Sequence, residues 1–211
     1  EGFGDVLYYN GNTKLARFRK RVRLIHNRET TLRTDSLNYD RNRNIAYYFS
    51  GGTIEDSLNV LTSRKGQYTP DNNQAIFRGD VKLVNPNFVL TADTLYYNTE
   101  TYQADLVGPT QIIYDKETTI LSSNGWYNTQ TEKSKLLDRS RIIHTDGMTL
   151  TGDTIYYDKA IGMGQVFGNM QSTDSTNRMT LYGNKGEVWE HSNNGYVTDS
   201  AMVVDWSDST M

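Results

Sequence analysis

Three aspartates, Asp35, Asp93 and Asp153, stand at the same place in three copies of one short word: "RTDSLNY", "LTADTLYY" and "LTGDTIYY". Carboxylates held roughly 5–10 Å apart serve glycoside hydrolysis as acid and base or nucleophile. Stacked copies could bring such pairs together. The competing role is a scaffold one, in which each Asp accepts backbone hydrogen bonds at a bend of the chain. Recurrence once per copy favours the scaffold, because an active site needs one set of acids and not one per unit. The expectation is a chain without catalytic residues, not an enzyme.

Other reactive types give little. The 211 residues include no Cys, which excludes thiolate metal sites, disulfides and Cys nucleophiles. His26, His144 and His191 lie far apart and show no metal-ligand spacing, so neither a metal nor a cofactor is expected. No nucleophile elbow or phosphate loop stands out. The most distinctive local stretch is "LARFRKRVRLIH", Leu15 to His26. At strand spacing Ala16, Phe18, Val22 and Leu24 share one face, and Arg17, Arg19, Arg21 and Arg23 share the other. Four guanidiniums together suit phosphates or an anionic membrane surface. They equally suit a solvated face that deters edge-to-edge aggregation. Residues 1–43 carry ten Lys/Arg against five Asp/Glu, while the remainder carries twelve against twenty. An acidic remainder argues against nucleic acid as a partner.

The elements that must position these residues repeat. An apolar residue, six intervening positions and an apolar or aromatic residue recur as Leu32/Tyr39, Leu61/Tyr68, Leu90/Tyr97, Ile120/Tyr127, Leu150/Tyr157 and, more weakly, Leu181/Val188. A degenerate copy ends at Tyr9, and successive closing positions are 30, 29, 29, 30, 30 and 31 residues apart. In "FVLTADTLYYN" Phe88, Leu90 and Ala92 share one parity, and Leu95 and Tyr97 the other, which requires a corner near Asp93. Asp35 and Asp153 mark the same switch. Polar turns such as "NTET" at 98–101 follow, then a second alternating stretch such as "AIFRGDVKLV". The pattern predicts an all-β, elongated antiparallel jellyroll or solenoid-like stack of ~30-residue units. A parallel β-helix is the alternative. One repeat-built domain spans 1–211, with clear repeats over 31–177 and degenerate end units at about 1–30 and 178–211. No apolar run approaches the ~18 residues of a membrane helix. The chain opens at Glu1 without a leader, so an export signal is expected to have been removed.

The stretch "LTADTLYYNTETYQADLVGPTQIIYD" resembles the repeat of the OstA-like (organic solvent tolerance) family, as do "TLRTDSLNYDRNRNIAYY" and "MTLTGDTIYYDKAIGMGQVFGNMQ". The resemblance covers roughly 31–177. It departs from the family pattern at Arg64 and Ser123, which stand where the other copies have Asp. The resemblance implies a periplasmic β-jellyroll protein of lipopolysaccharide transport in a Gram-negative envelope, peripheral to a membrane at most. It implies lipopolysaccharide or a related lipid as ligand, with acyl chains in an apolar interior. It also implies docking by strand edges to similar proteins or to another copy. The candidate lipid-contacting interior is Leu32, Leu37, Tyr39, Leu61, Tyr68, Phe77, Val81, Leu83, Leu90, Leu95, Tyr97, Ile112, Ile120, Tyr127, Leu150, Ile155 and Tyr157. Arg17, Arg19, Arg21 and Arg23 are the candidate phosphate contacts. A structural stalk with a solid interior is the second expectation, and a polysaccharide-active enzyme the third.

Overall fold

A computed structural model describes residues 1–26, 30–192 and 194–206. The degenerate end units therefore lie partly outside the described residues. Eighteen strands follow one another. They are β1 (Gly2–Phe3), β2 (Val6–Asn10), β3 (Leu15–His26), β4 (Thr30–Asp40), β5 (Ile45–Tyr48), β6 (Gly52–Glu55), β7 (Val60–Ser63), β8 (Lys65–Thr69) and β9 (Gln74–Val84). Then come β10 (Phe88–Asn98), β11 (Gln103–Tyr114), β12 (Thr118–Asn128), β13 (Lys133–His144), β14 (Met148–Asp158), β15 (Met163–Asp174), β16 (Met179–Trp189), β17 (Asn194–Thr198) and β18 (Met202–Asp205). Two short 3-10 turns, Pro70–Asn72 and Glu190–Ser192, are the helical content of the described residues. Contacts group the chain into two compact units, Glu1–Tyr102 and Gln103–Met211. Within each unit the described strand pairs are antiparallel. The expected all-β antiparallel class holds, and the parallel β-helix alternative is excluded.

Hairpins form where the sequence places Asx turns. Asn10, Asp40, Asn98, Asn128 and Asp174 each accept the backbone N–H groups two and three residues on. The strands themselves bend once near the middle. Four bends split a strand in two, separating β1 from β2, β5 from β6, β7 from β8 and β17 from β18. The described residues thus form fourteen bent strands.

Within the continuous strands the bend is a bulge that sets one residue against two. In the β9–β10 pair Val81 faces Ala92 and Arg78 faces Thr94, so Asp93 alone opposes Gly79 and Asp80. Asp35 opposes Lys20 and Arg21 in the same way, and Asp153 opposes Asp138 and Arg139. The two-residue side is left-handed at these three corners, with φ of 61 and 47° at Lys20–Arg21, 76 and 50° at Gly79–Asp80, and 56 and 58° at Asp138–Arg139. Two consecutive left-handed residues turn the strand while keeping the same parity inward, so Ala75, Phe77, Val81 and Leu83 are all buried. The one-residue side instead shifts parity, so Phe88 and Leu90 before the corner and Leu95 after it are buried.

The bend folds the two halves of each strand over one another as two layers. In the first unit Val22 and Leu32 from one half pack with Leu37 and Tyr48 from the other. In the second, the Tyr114 ring at the end of β11 meets the Tyr127 ring near the end of β12, centroids 5.9 Å apart and edge-on. At the fold line buried hydroxyls satisfy one another: Ser122 and Ser140 share a bond of 2.7 Å, and Tyr48 and Ser63 one of 2.6 Å.

Candidate functional site

The repeated aspartates are tied into the corners. The Arg21 backbone N–H donates to Asp35 Oδ1 at 3.2 Å. Asn169 Nδ2 donates to Asp153 Oδ2 at 2.6 Å, and Arg139 lies 3.8 Å from Asp153 Oδ1. Asp5 occupies the same place in the first copy and takes both Arg21 Nε contacts at 3.0 Å. Where the copy ending at Tyr68 has Arg64, the facing corner supplies Asp80 and the two form an ion pair. The charge is inverted and the pairing kept. Asp5, Asp35 and Asp153 are thus each engaged by a neighbouring strand, whereas Asp93 accepts from the Thr94 hydroxyl beside it at 3.3 Å.

The arginines of β3 are not a flat row, because the left-handed Lys20–Arg21 corner interrupts it. Arg19 donates to the carbonyls of Phe18 and Leu37 and to Asn38 Oδ1, and lies 5.6 Å from the centre of the Phe49 ring. Arg21 sits at the corner on Asp5, and Arg23 lies 5.0 Å over the Phe3 ring. Arg17 is exposed.

All seventeen candidate interior residues lie inside: fourteen are buried, and Tyr39, Tyr68 and Tyr97 are half-buried. The tyrosines form a regular row with a small residue on each side. Tyr39 stands between Ala16 and Ala46, and Tyr68 between Ala46 and Ala75. In the second unit Tyr127 stands between Ala104 and Ser134, and Tyr157 between Ser134 and Gly164. A ring thus fills the space that its small neighbours leave. The next place in the row is Val188, between Gly164 and Gly195. Three small residues in succession leave the space empty. The facing layer thins at the same point, where the row Ile112, Ile120, Ile142, Leu150 continues with Ser172.

A cavity of about 550 Å³ lies there, wholly within the second unit. Its apolar wall includes Ile142, Met148, Leu150, Met170, Met179, Leu181, Val188 and Trp189. Of the seventeen residues expected to contact a ligand, only Leu150 and Tyr157 line this space. Its size is that of a small-molecule site, and its walls have the usual apolar make-up with a few polar groups. One edge of the mouth is fixed by a network. Tyr157 donates to Glu190 Oε1 at 2.7 Å, and Lys159 Nζ reaches Glu190 Oε2 and Thr118 Oγ1 at 3.5 and 3.4 Å. Burial, then the Glu190 carboxylate, hold the Tyr157 phenol far above its usual range, so it stays a donor. Opposite, His144 Nδ1 lies 2.9 Å from Asp146. The Asp174 carboxyl is held below its usual value, chiefly by the Asn177 backbone N–H. The sequence signal for this site was the weakest tooth of the repeat, with Val in place of Tyr.

Among the described residues no group of three or more His, Asp or Glu is placed to hold a metal ion, and no helix is long and apolar enough to cross a membrane. Residues 2–93 match the family model described as OstA-like protein. The resemblance read from the repeats is borne out there, and the match reaches the N-terminal copy that looked degenerate. No curated protein matches the chain. Among solved structures the chain is similar to the crystal structure of LptH, the LptA homologous periplasmic component of the conserved lipopolysaccharide transport device from Pseudomonas aeruginosa. The identity is 14% and the TM-score 0.43, over 47% of this chain and 75% of that one.

Proposed function

We propose that this chain is a non-enzymatic carrier of an acylated envelope lipid, lipopolysaccharide or lipid A, working in the periplasm of a Gram-negative cell. The observation that carries the proposal is the apolar cavity at the break in the tyrosine row, and the OstA-like match over residues 2–93 supports it. An acyl chain entering the cavity gains about 0.8 kcal/mol per buried methylene, before ordering costs. Transfer partners are β-jellyroll proteins or a second copy, docking by strand addition. In support, β1–β2 and β17–β18 expose apolar side chains on strands at the ends of their units, with Leu7 57% and Val203 58% exposed. The β3 arginines are the candidate contacts for lipid phosphates, Arg17 being free of the internal pairings that hold the other three.

The test uses Trp189, which lines the cavity, in a protein whose other tryptophans are replaced (Trp126→Phe, Trp206→Phe). Lipid A brominated on its acyl chains should quench Trp189 fluorescence. Val188→Tyr, which restores the row between Gly164 and Gly195, should abolish quenching and leave the circular dichroism unchanged. Absence of quenching, with no lipid retained in native mass spectra, would overturn the proposal. One observation favours a second reading, a solid β-stalk: Leu90 and Leu95 in the first unit and Ala104 and Ile112 in the second are all at 0% exposure. That reading predicts no lipid binding in the same experiment.

A further inference from the structure

The cavity mouth carries a charge pattern that bears on which amphiphile it takes. Five acidic residues are among those lining the cavity, Glu117, Asp146, Asp174, Glu187 and Glu190, against one lysine, Lys159, and two histidines, His144 and His191. That lysine is already committed to Glu190 and to Thr118. Asp146 meets His144, and Glu187 takes a bond from Gln165 Nε2 at 2.9 Å. Glu117 and Asp146 are both exposed. The excess is not local chance: residues 103–211 contain fourteen Asp/Glu and eight Lys/Arg, while residues 1–102 contain eleven and fourteen. The apolar part of the lining includes half-buried Met148 and Met179 and buried Ile142, Leu150 and Met170.

An amphiphile that buries its chain here must leave its head at the rim. A phosphate at that place meets several carboxylates within a Debye length and finds no uncommitted lysine among the lining residues. A sugar, a zwitterion or an ammonium head meets no such repulsion. Resting on the lipid-carrier reading, we infer that the cavity of the second unit selects an acyl chain whose adjoining head carries no net negative charge. A phosphorylated head binds at this mouth more weakly than an uncharged head on the same chain, and Val188 sets the depth the chain can reach.

The experiment compares heads on one chain: dodecyl maltoside, dodecylphosphocholine, dodecyltrimethylammonium and dodecyl phosphate, each below its micelle concentration. Lipid A is run beside its dephosphorylated form. Trp189 fluorescence in the single-tryptophan protein reports binding, with Val188→Tyr as the blocked control. At low salt the phosphate head should bind about tenfold more weakly than the maltoside, and the gap should narrow as salt is raised. Glu117→Lys with Asp146→Lys, both on exposed positions, should erase or reverse the preference. Phosphate and maltoside heads binding equally, or phosphate more tightly with salt weakening it, would overturn the inference and leave the carrier reading standing. Binding of no chain, whatever its head, would overturn both.

Discussion

At Gly168 φ is +76°, and a Cβ there would stand 2.7 Å from Asp153 Oδ2. Lys20, at the equivalent place in β3, has φ +61° with a full side chain. The two positions separate the backbone requirement from the steric one. Gly168→Ala should destabilise by at least about 1–2 kcal/mol, since a left-handed L-residue and a crowded carboxylate act together. Lys20→Gly relieves left-handed strain but adds unfolded-state entropy, so its unfolding free energy from urea titration should stay within about 0.5 kcal/mol of the parent. Equal losses at both would show that the corner does not depend on the left-handed pair. The Arg64–Asp80 exchange belongs to the same scale. Arg64→Asp places two acids at one corner, and Asp80→Arg in the same chain should recover most of the loss. That loss is about 1 kcal/mol or less, because the pair is exposed. A double variant no better than the single would mean the pair contributes nothing to the corner.

The bent strand is the element that the repeat encodes, and the tyrosine row shows what spacing alone reveals. Side chains that alternate and then change parity at Asp93 and Asp153 announced the corner, because only a bulge reconciles the two halves with one interior. The ring-beside-small alternation was also present in the sequence, as Ala46, Ala75 and Ala104 beside tyrosines a hairpin away. The partner half of the corner was hidden. Its left-handed pair is Gly–Asp or Gly–Asn in some copies and Asp138–Arg139 in another, but Lys20–Arg21 in β3, residues that carry no turn signature. The same corner broke the supposed row of four arginines. The cavity was hidden for a different reason: it is made by missing bulk at Gly164, Val188, Gly195 and Ser172, and a weak copy reads in sequence as decay. If small neighbours make room for the rings, enlarging one must cost stability. Ala104→Leu, at 0% exposure beside Tyr127, should destabilise by about 1–3 kcal/mol in urea unfolding. Gly195 is no equivalent control, because a Cβ there would meet the Glu187 carbonyl at 2.8 Å. Ala104→Ser conserves volume and should cost less than Ala104→Leu.

Across the whole chain the buried phenols set a limit on the alkaline side. Tyr48 in the first unit and Tyr114, Tyr127 and Tyr157 in the second are buried, and burial raises the ionisation of each above the usual tyrosine value. In the unfolded chain these phenols ionise near pH 10. A group whose folded value lies above its unfolded one gives stability that is fully present below the unfolded value. That stability is lost as pH rises from there towards the folded value. Above about pH 10 each such tyrosine removes about 1.4 kcal/mol per pH unit, because the unfolded state releases a proton that the folded state keeps. Three of the four phenols lie in the unit that also carries the acidic excess. Hydrogen exchange followed from pH 8 to pH 11, corrected for the intrinsic rate, should therefore show amides of residues 103–206 losing protection before those of 1–102. Tyrosine absorbance in the same range should rise in two stages, the exposed phenols first and the buried ones with unfolding. A single absorbance transition near pH 10 with protection intact would mean that the rings ionise in place. The layers would then be far looser than the closed tyrosine rows require.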